Sequence, residues 1–563
     1  MTIRRSIQLV ALFSCLSSMC WQFGAVTTSA QNSSRRTPSK QSLPKAVPAF
    51  GYNVRVFGAT GNGNTLDTPA INKTIDAAAA AGGGTVFFPA GSYLSVTIRL
   101  KSNVALYLDQ GATIVAATTG PGMQYDAPEP NQWDQYQDFG HSHWRNSLIW
   151  GENLDNIAIL GPGKIWGKGL VRNGGASRTD AQNQAIREAP AAGPFGYPNP
   201  RDAVEPGWGN KAIALKLCRN VILKDFTIFH GGHFAILASG VDNLTIDNLK
   251  IDTNRDGIDV DACRNVRISN CTVNSPFDDA ICPKSSYALG FARATENVTI
   301  TNCQVSGYDE GTLLDGTFKR EYNRYSNNSS TGRIKFGTES NGGFKNITIS
   351  NCVFDYSRGL ALEAVDGALL EDVTINNITM RDITNAPIFI RLGNRARGPK
   401  ETTTVGKLRR VIISNVVIYN ADPRYGSIIS GIPGHPIEDL RLSNIRIYSK
   451  GGGTKEQAAL QPPEKEDTYP EPSMFGEIPA YGFFVRHVNG LKVDNVEVSY
   501  LNDDLRPAFW LHDVKGADFF RVRAQRRSDV PTFLLKDIED FSVVQSHPIA
   551  DTRLDKMKEG RIE

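Results

Sequence analysis

The chain has 563 residues, 40% of them hydrophobic and 21% charged, with a formal net charge of +3. That composition supports a large buried core, and so small a net charge argues against nucleic-acid or membrane-surface binding. Length alone leaves the domain count open, while 52 glycines and an Asn-rich polar set favour β structure with many tight turns.

At the start, Arg4 and Arg5 precede an apolar run from Ile7 to about Phe23, and Thr28-Ser29-Ala30 offers a small-residue cleavage site. This pattern predicts a secretory signal peptide over 1–30, hence a secreted or periplasmic protein. A lipoprotein-type signal with Cys15 as acceptor is the rival, disfavoured by Phe13 in Leu12-Phe13-Ser14-Cys15. The run is too short and too broken by Ser and Cys to predict a retained membrane anchor. Residues 31–45, rich in Ser, Arg and Pro, read as a disordered linker, and 46–563 as one domain. Within it, Thr68-Pro69 fit the N-cap and first position of an Ala-rich helix that Gly82 to Gly84 terminate.

From about residue 218 one theme recurs: RNVILKDFTI, DNLTIDNLKI, RNVRISNCTV, KNITISNCVF and further variants. Its first apolar residue is Val221, Leu244, Val266, Val298, Ile347, Val373, Val411, Leu440 and Leu491, with shortest spacings of 22 and 23 residues. Apolar and polar residues alternate inside each unit, so each is a strand-turn-strand rung. A period near 22 made of strands and turns predicts an all-β, single-stranded parallel β-helix, with the Ala-rich helix capping its N-terminal end. Asn recurs four residues after the anchor, from Asn248, Asn270 and Asn302 to Asn495, which predicts a ladder of stacked amides rather than glycosylation sites. Cys271, Cys303 and Cys352 share an inward-pointing column and read as small core residues, with no C-x2-C metal spacing anywhere.

Asp256 lies 12 residues after Leu244, and Asp278 lies 12 after Val266. Without an insertion they stack about 4.8 Å apart, and Asp279 joins them. The same offset selects His233 and Glu310. Alternatives are a solvated acidic turn, or a cation held by Asp256, Asp259 and Asp261. Carboxylates crowded between apolar neighbours suit catalysis better, because crowding keeps one of them protonated. Glycoside hydrolysis needs one carboxylic acid and one carboxylate base; a water between groups about 6.5–9.5 Å apart predicts inversion, and no cofactor is required.

The chain resembles glycoside hydrolase family 28, the polygalacturonase group of right-handed β-helix pectinases, especially its bacterial members. VRVFGATGNGNTLDTPAI, FFPAGSYL, SLIWGENLDNIAILGPGKIWGKG and YGFFVRHVNGL carry the resemblance along the chain. The family's Asn-Thr-Asp is matched by Asn254-Arg255-Asp256, with Arg in place of Thr, and its Asp-Asp pair by Asp278-Asp279. The resemblance implies Asp278 as general acid, and Asp256 and Asp279 as the groups that hold and deprotonate water. It also implies a monomer acting on an acidic plant- or algal-type polysaccharide such as galacturonan or rhamnogalacturonan.

Two departures accompany it. Thr331-Gly332-Arg333 stands where the family keeps Gly-His-Gly, and Ala361-Leu362-Glu363 where it keeps Arg-Ile-Lys. An Arg333-Ile334-Lys335 occurs one rung earlier, with both cations on one strand face, and is expected to grip a substrate carboxylate. Lys284 matches a lysine common in bacterial members; Asn254 and His233 complete the expected substrate-binding set. The insertion between Gln304 and Gly332 is expected to wall a subsite. A calcium-dependent polysaccharide lyase and a non-catalytic carbohydrate-binding β-helix are the rival functions.

Overall fold

A computed structural model describes residues 51–137, 139–171, 207–321 and 330–563. The signal peptide over 1–30 and the linker over 31–45 lie outside these residues.

The alternation seen in sequence sets what each strand buries. In Arg264–Ser269, Val266 and Ile268 point into the core while Arg264, Asn265 and Arg267 face out. The anchors pair in parallel as one column: Val221 with Leu244, then Val266, Val298, Ile347, Val373, Val411, Leu440 and Leu491. The result is a parallel β-helix whose apolar core is continuous from Val54 to Ile549.

Turns between strands carry Asn in the left-handed region, where its short polar side chain tolerates a positive φ. Along the expected ladder, from Asn248 to Asn495, φ lies between 53° and 57°. Asn302 donates to Asn270, Asn377 to Asn351, Asn444 to Asn415 and Asn495 to Asn444 over 2.9–3.3 Å. Asn248 and Asn270 donate instead to Asp225 and Asp247. A second, unbroken ladder joins Asn103, Asn156, Asn220, Asn243, Asn265, Asn297 and Asn346 at 2.8–3.2 Å. All six cysteines of the described residues are buried and unbridged.

The helix is Thr68–Ala80, one residue out of the expected capping phase: Asp67 is the N-cap and Thr68 the first helical residue. The Asp67 carboxylate accepts hydrogen bonds from Thr60 and Gly61 rather than from the helix. Ile71, Ile75 and Ala78 join the core beside the first rungs, which covers that end. At the other end Thr552–Ile562 pairs antiparallel with Phe533–Val544 and caps the last rung's free edge. Among the described residues no helix is long and apolar enough to cross a membrane.

One sheet carries the site. Its rungs include Phe234–Ser239, Asp256–Asp261, Ile281–Lys284, Ile334–Phe336, Leu360–Ala364 and Ile388–Leu392. Ile236, Ile258, Ile281, Ile334, Leu360 and Ile388 stack inward. The outer face is covered in turn. Trp144, from a segment before the repeats, packs with Ala214, Phe234, Leu237 and Ala288. Phe475, Ile478 and Ala480 pack on Ala361, Phe389, Phe484 and Trp510. Between these two apolar patches the outer face is polar.

Candidate active site

The carboxylates reach that polar stretch through a turn one residue longer than the strand period implies. Asp252 pairs with Asn274, an offset of 22, yet Ile258 pairs with Ile281, an offset of 23. The Gly257 N–H donates to the Asp279 carbonyl, so Asp279, not Asp278, is level with Asp256. The expected stacking of Asp256 on Asp278 is corrected by one position. Convergence survives the shift, because Asp256, Asp278 and Asp279 each bring a carboxylate oxygen within 4.8 Å of the other two.

Their environments differ sharply. Asp279 is buried, with Arg333 Nε donating to it at 2.8 Å and Lys335 Nζ ion-paired to it at 2.7 Å. Against the burial that opposes ionisation, Lys335 and Arg333 hold its carboxyl well below the usual range. Asp256 is also buried and one of its oxygens has no hydrogen bond. Burial, then the charges of Asp278 and Asp259, push it well above the usual range. Asp278 is the outer member, its side chain 25% exposed and paired with Arg255 Nη2 at 2.5 Å. Environments that drive neighbouring carboxyls apart in this way separate a proton carrier from a base.

Asp259 extends the cluster along the strand. Neither oxygen accepts a hydrogen bond, and burial pushes the group up to about 8. A folded pKa raised above the unfolded 3.8 gives stability that is full below pH 4 and is lost as pH rises towards about 8. Asp259→Asn is therefore expected to raise the melting temperature, by on the order of 2 °C near neutrality. The gain should grow from pH 4 to 8 and level off above; a gain independent of pH would contradict the assignment.

Arg333 and Lys335 do not present a free grip to substrate. Both are buried, and besides Asp279 the Arg333 guanidinium bonds Glu471 at 2.6 Å and lies 3.9 Å from Glu363. They are internal counter-ions, which corrects the expectation drawn from Arg333-Ile334-Lys335. Glu363, a charge reversal in the sequence, is one of the carboxyls around them, and burial pushes it up to about 7. Lys284 lies 3.4 Å from Glu339 and 3.5 Å from Asp259. Burial opposes its charge, and the acidic groups around it, Glu339 among them, outweigh that and hold Lys284 protonated. Asn254, beside Asp256, is buried with no hydrogen bond to either atom of its amide.

His233 lies one residue off the aspartate column, since Asp256 pairs with Phe234. Its ring packs on Phe234 and meets His141 edge-on at 6.3 Å. Glu310 pairs with His230 at 3.4 Å, away from the three-carboxylate cluster. The insertion's residues 322–329 lie outside the described residues; its described part anchors beside the preceding turn, where Leu314 N–H donates to Asp252 and Arg320 pairs with Asp355 and Asp382. Arg391 ties down the covering segment through the carbonyls of Glu464 and Lys465.

Sequence reasoning missed His141, Tyr469 and Glu471. All three arrive from segments far from the repeats' motifs, and no local pattern marks them. A divalent cation fits poorly. Asp261, part of the cation alternative, accepts hydrogen bonds from Ser286. Of the two sets whose ligand atoms converge, Asp256, Asp259 and Cys282 includes a thiol that burial pushes well above its usual range and has the Lys284 ammonium at its edge, while in Asp256, Asp278 and Asp279 the cations Arg255, Arg333 and Lys335 already pair with two of the three carboxylates.

Comparison with known proteins matches two family models. "Rhamnogalacturonase A/epimerase, pectate lyase-like" covers residues 51–187, and "Right handed beta helix region" covers 206–282. The exo-poly-alpha-D-galacturonosidase of Dickeya chrysanthemi is 24% identical over 485 residues, covering 75% of each chain. The family 28 exopolygalacturonase of Yersinia enterocolitica superposes with a TM-score of 0.59 at 18% identity, over 83% of this chain and 78% of that one. The exopolygalacturonase of Thermotoga maritima gives 0.55 at 17% identity, over 92% and 96%. In sequence the chain is similar to a polygalacturonan-cleaving glycosidase, and it shares the right-handed parallel β-helix fold of the two exopolygalacturonases.

Proposed function

We propose that the protein is an exported, monomeric hydrolase that cleaves glycosidic bonds of a pectin-type uronate chain, galacturonan first, with inversion at the anomeric carbon. The carrying observation is the convergence of three carboxylates whose surroundings keep Asp279 ionised and Asp256 protonated. Asp279 is the base. Carboxylate oxygens up to 4.8 Å apart lie closer than the roughly 6.5–9.5 Å expected of an inverting pair, yet they admit one water hydrogen-bonded to both at about 2.8 Å, so inversion rests on that water and not on the spacing. The Asp256 proton reaches the leaving oxygen through Asp278, the outermost of the three, which keeps Asp278 as the group that delivers the proton. The route uses side chains alone. Export rests on the leader pattern, and the substrate on the names of the relatives.

The pH dependence follows. Asp279 is ionised over the whole accessible range, while the raised Asp256 loses its proton as pH rises. Turnover is therefore expected to hold through acid pH and to fall on the alkaline side.

The deciding experiment is NMR of the first product released from polygalacturonate, with rhamnogalacturonan in parallel. Product of the opposite anomeric configuration to the bond cleaved, and unaffected by chelator, supports the proposal. Retained configuration sinks inversion. An unsaturated, ultraviolet-absorbing, chelator-sensitive product identifies a lyase instead.

A further inference from the structure

Beside the three aspartates lies a second cluster with no role in proton transfer. Four basic groups surround the Glu339 carboxylate: Lys284 at 3.4 Å, His141 at 3.7 Å, Arg395 at 3.8 Å and Arg397 at 3.9 Å. Those separations exceed the roughly 2.7–2.9 Å of a formed charge-assisted hydrogen bond. Arg395 is held in place by a bidentate pair with Asp366, which also accepts the Arg397 backbone N–H.

Hydrogen bonds are missing where burial makes their absence costly. Neither ring nitrogen of His141 has a partner, nor has Nη1 of Arg395, nor does either oxygen of Asp259 accept one. Buried polar atoms are nearly always satisfied, so such a concentration marks groups arranged for a ligand. Lys284, Arg395 and Arg397 face the carboxylates of Glu339 and Asp366. At the rim the Arg397 side chain is 32% exposed, and Tyr469 is 49% exposed with the Arg395 guanidinium 5.7 Å from its ring centre. An exposed aromatic face beside cations suits a sugar ring that carries an acid group.

We propose that Lys284, Arg395, Arg397 and His141 form the pocket that reads the carboxylate of one hexuronate unit, with Glu339 as their counter-ion until substrate arrives. The inference rests on the polyuronate-hydrolase reading for its substrate. It moves acid recognition from the Arg-Ile-Lys strand, where both cations serve Asp279, to Lys284, which the resemblance marked, and to three residues that no motif marked. Arriving carboxylate takes the shorter bonds that Glu339 leaves unmade, Asp259 meets a ring hydroxyl, and Tyr469 covers the ring face. A methyl ester lacks the charge and is bound less well.

The test compares an α-linked galacturonate trimer with its methyl ester, on the full chain and on Arg397→Ala and Arg397→Lys. Arg397 is chosen because its partly exposed side chain can be removed without opening the core. If the wild type cleaves the trimer, Arg397→Ala should raise KM for the acid about 10–100-fold and for the ester less than about threefold. Arg397→Lys should recover part of that loss, since it keeps the charge without the planar fork. Equal losses on acid and ester, or none, would overturn the pocket. If the wild type does not cleave, trimer binding by calorimetry separates the two readings. Binding weakened at least tenfold by Arg397→Ala keeps the pocket while the hydrolase reading falls; binding indifferent to Arg397 removes both.

Discussion

Asp279→Asn is expected to lower turnover on polygalacturonate by about 10³-fold and also to destabilise the fold. The first effect follows from removing the aspartate that Lys335 and Arg333 hold well below the usual carboxylate range. The second follows from what it leaves behind. Arg333 and Lys335 are buried and both lie against Asp279, so the variant strands positive charge in the interior. Removing one partner of a buried pair costs about 3–5 kcal/mol. Asp278→Asn is the control. Asp278 is paired with a partly exposed Arg255, so its loss should reduce turnover comparably yet change stability by less than about 1 kcal/mol. Urea denaturation alongside kcat measurement checks both. Equal stability for the two variants would mean that the Asp279 pairs contribute nothing net to the fold.

Arg333→Met should give the largest stability loss of any single charge removal at the site, again about 3–5 kcal/mol. It strips Asp279 and Glu471 of a hydrogen-bonded cation and deprives Glu363 of a nearby one. Asp279 then relies on Lys335, its carboxyl moves up towards the ordinary range, and an acid limb should enter the pH–kcat profile. A substrate-gripping role makes a different prediction, a raised KM for acid substrates with stability intact. Measuring denaturation, KM and the pH profile on one variant decides between them. A selective rise in KM without destabilisation would restore the grip.

These variants mark the boundary between what was legible in the chain and what was not. Fold class was legible because its signal is local and repeated. Val221, Leu244, Val266 and their successors alternate with polar residues at a period that only stacked rungs can bury, and Asn248, Asn270 and Asn302 mark the left-handed turns. The helix was legible from its Ala-rich run, with an error of one residue at the cap because Asp67 is bound by Thr60 and Gly61. Convergence of Asp256, Asp278 and Asp279 was legible because about one rung separates them in sequence.

The level at which they meet was decided elsewhere. One extra residue in the turn between Asn274 and Ile281 moves Asp279 opposite Asp256, and a strand period says nothing about turn length. Arg333 and Lys335 looked free because strand alternation tells which face a side chain leaves by, not what waits there. Asp279 and Glu363 wait there, together with Glu471 from a segment more than one hundred residues downstream. His141 enters from upstream of the repeats in the same way. By itself, then, the sequence determined a parallel β-helix bearing three crowded carboxylates, because burial of a periodic apolar pattern is a local requirement. Only the tertiary structure decided which charges those carboxylates face, because ion pairing depends on distance in space, and segments covering the outer face bring distant residues to it.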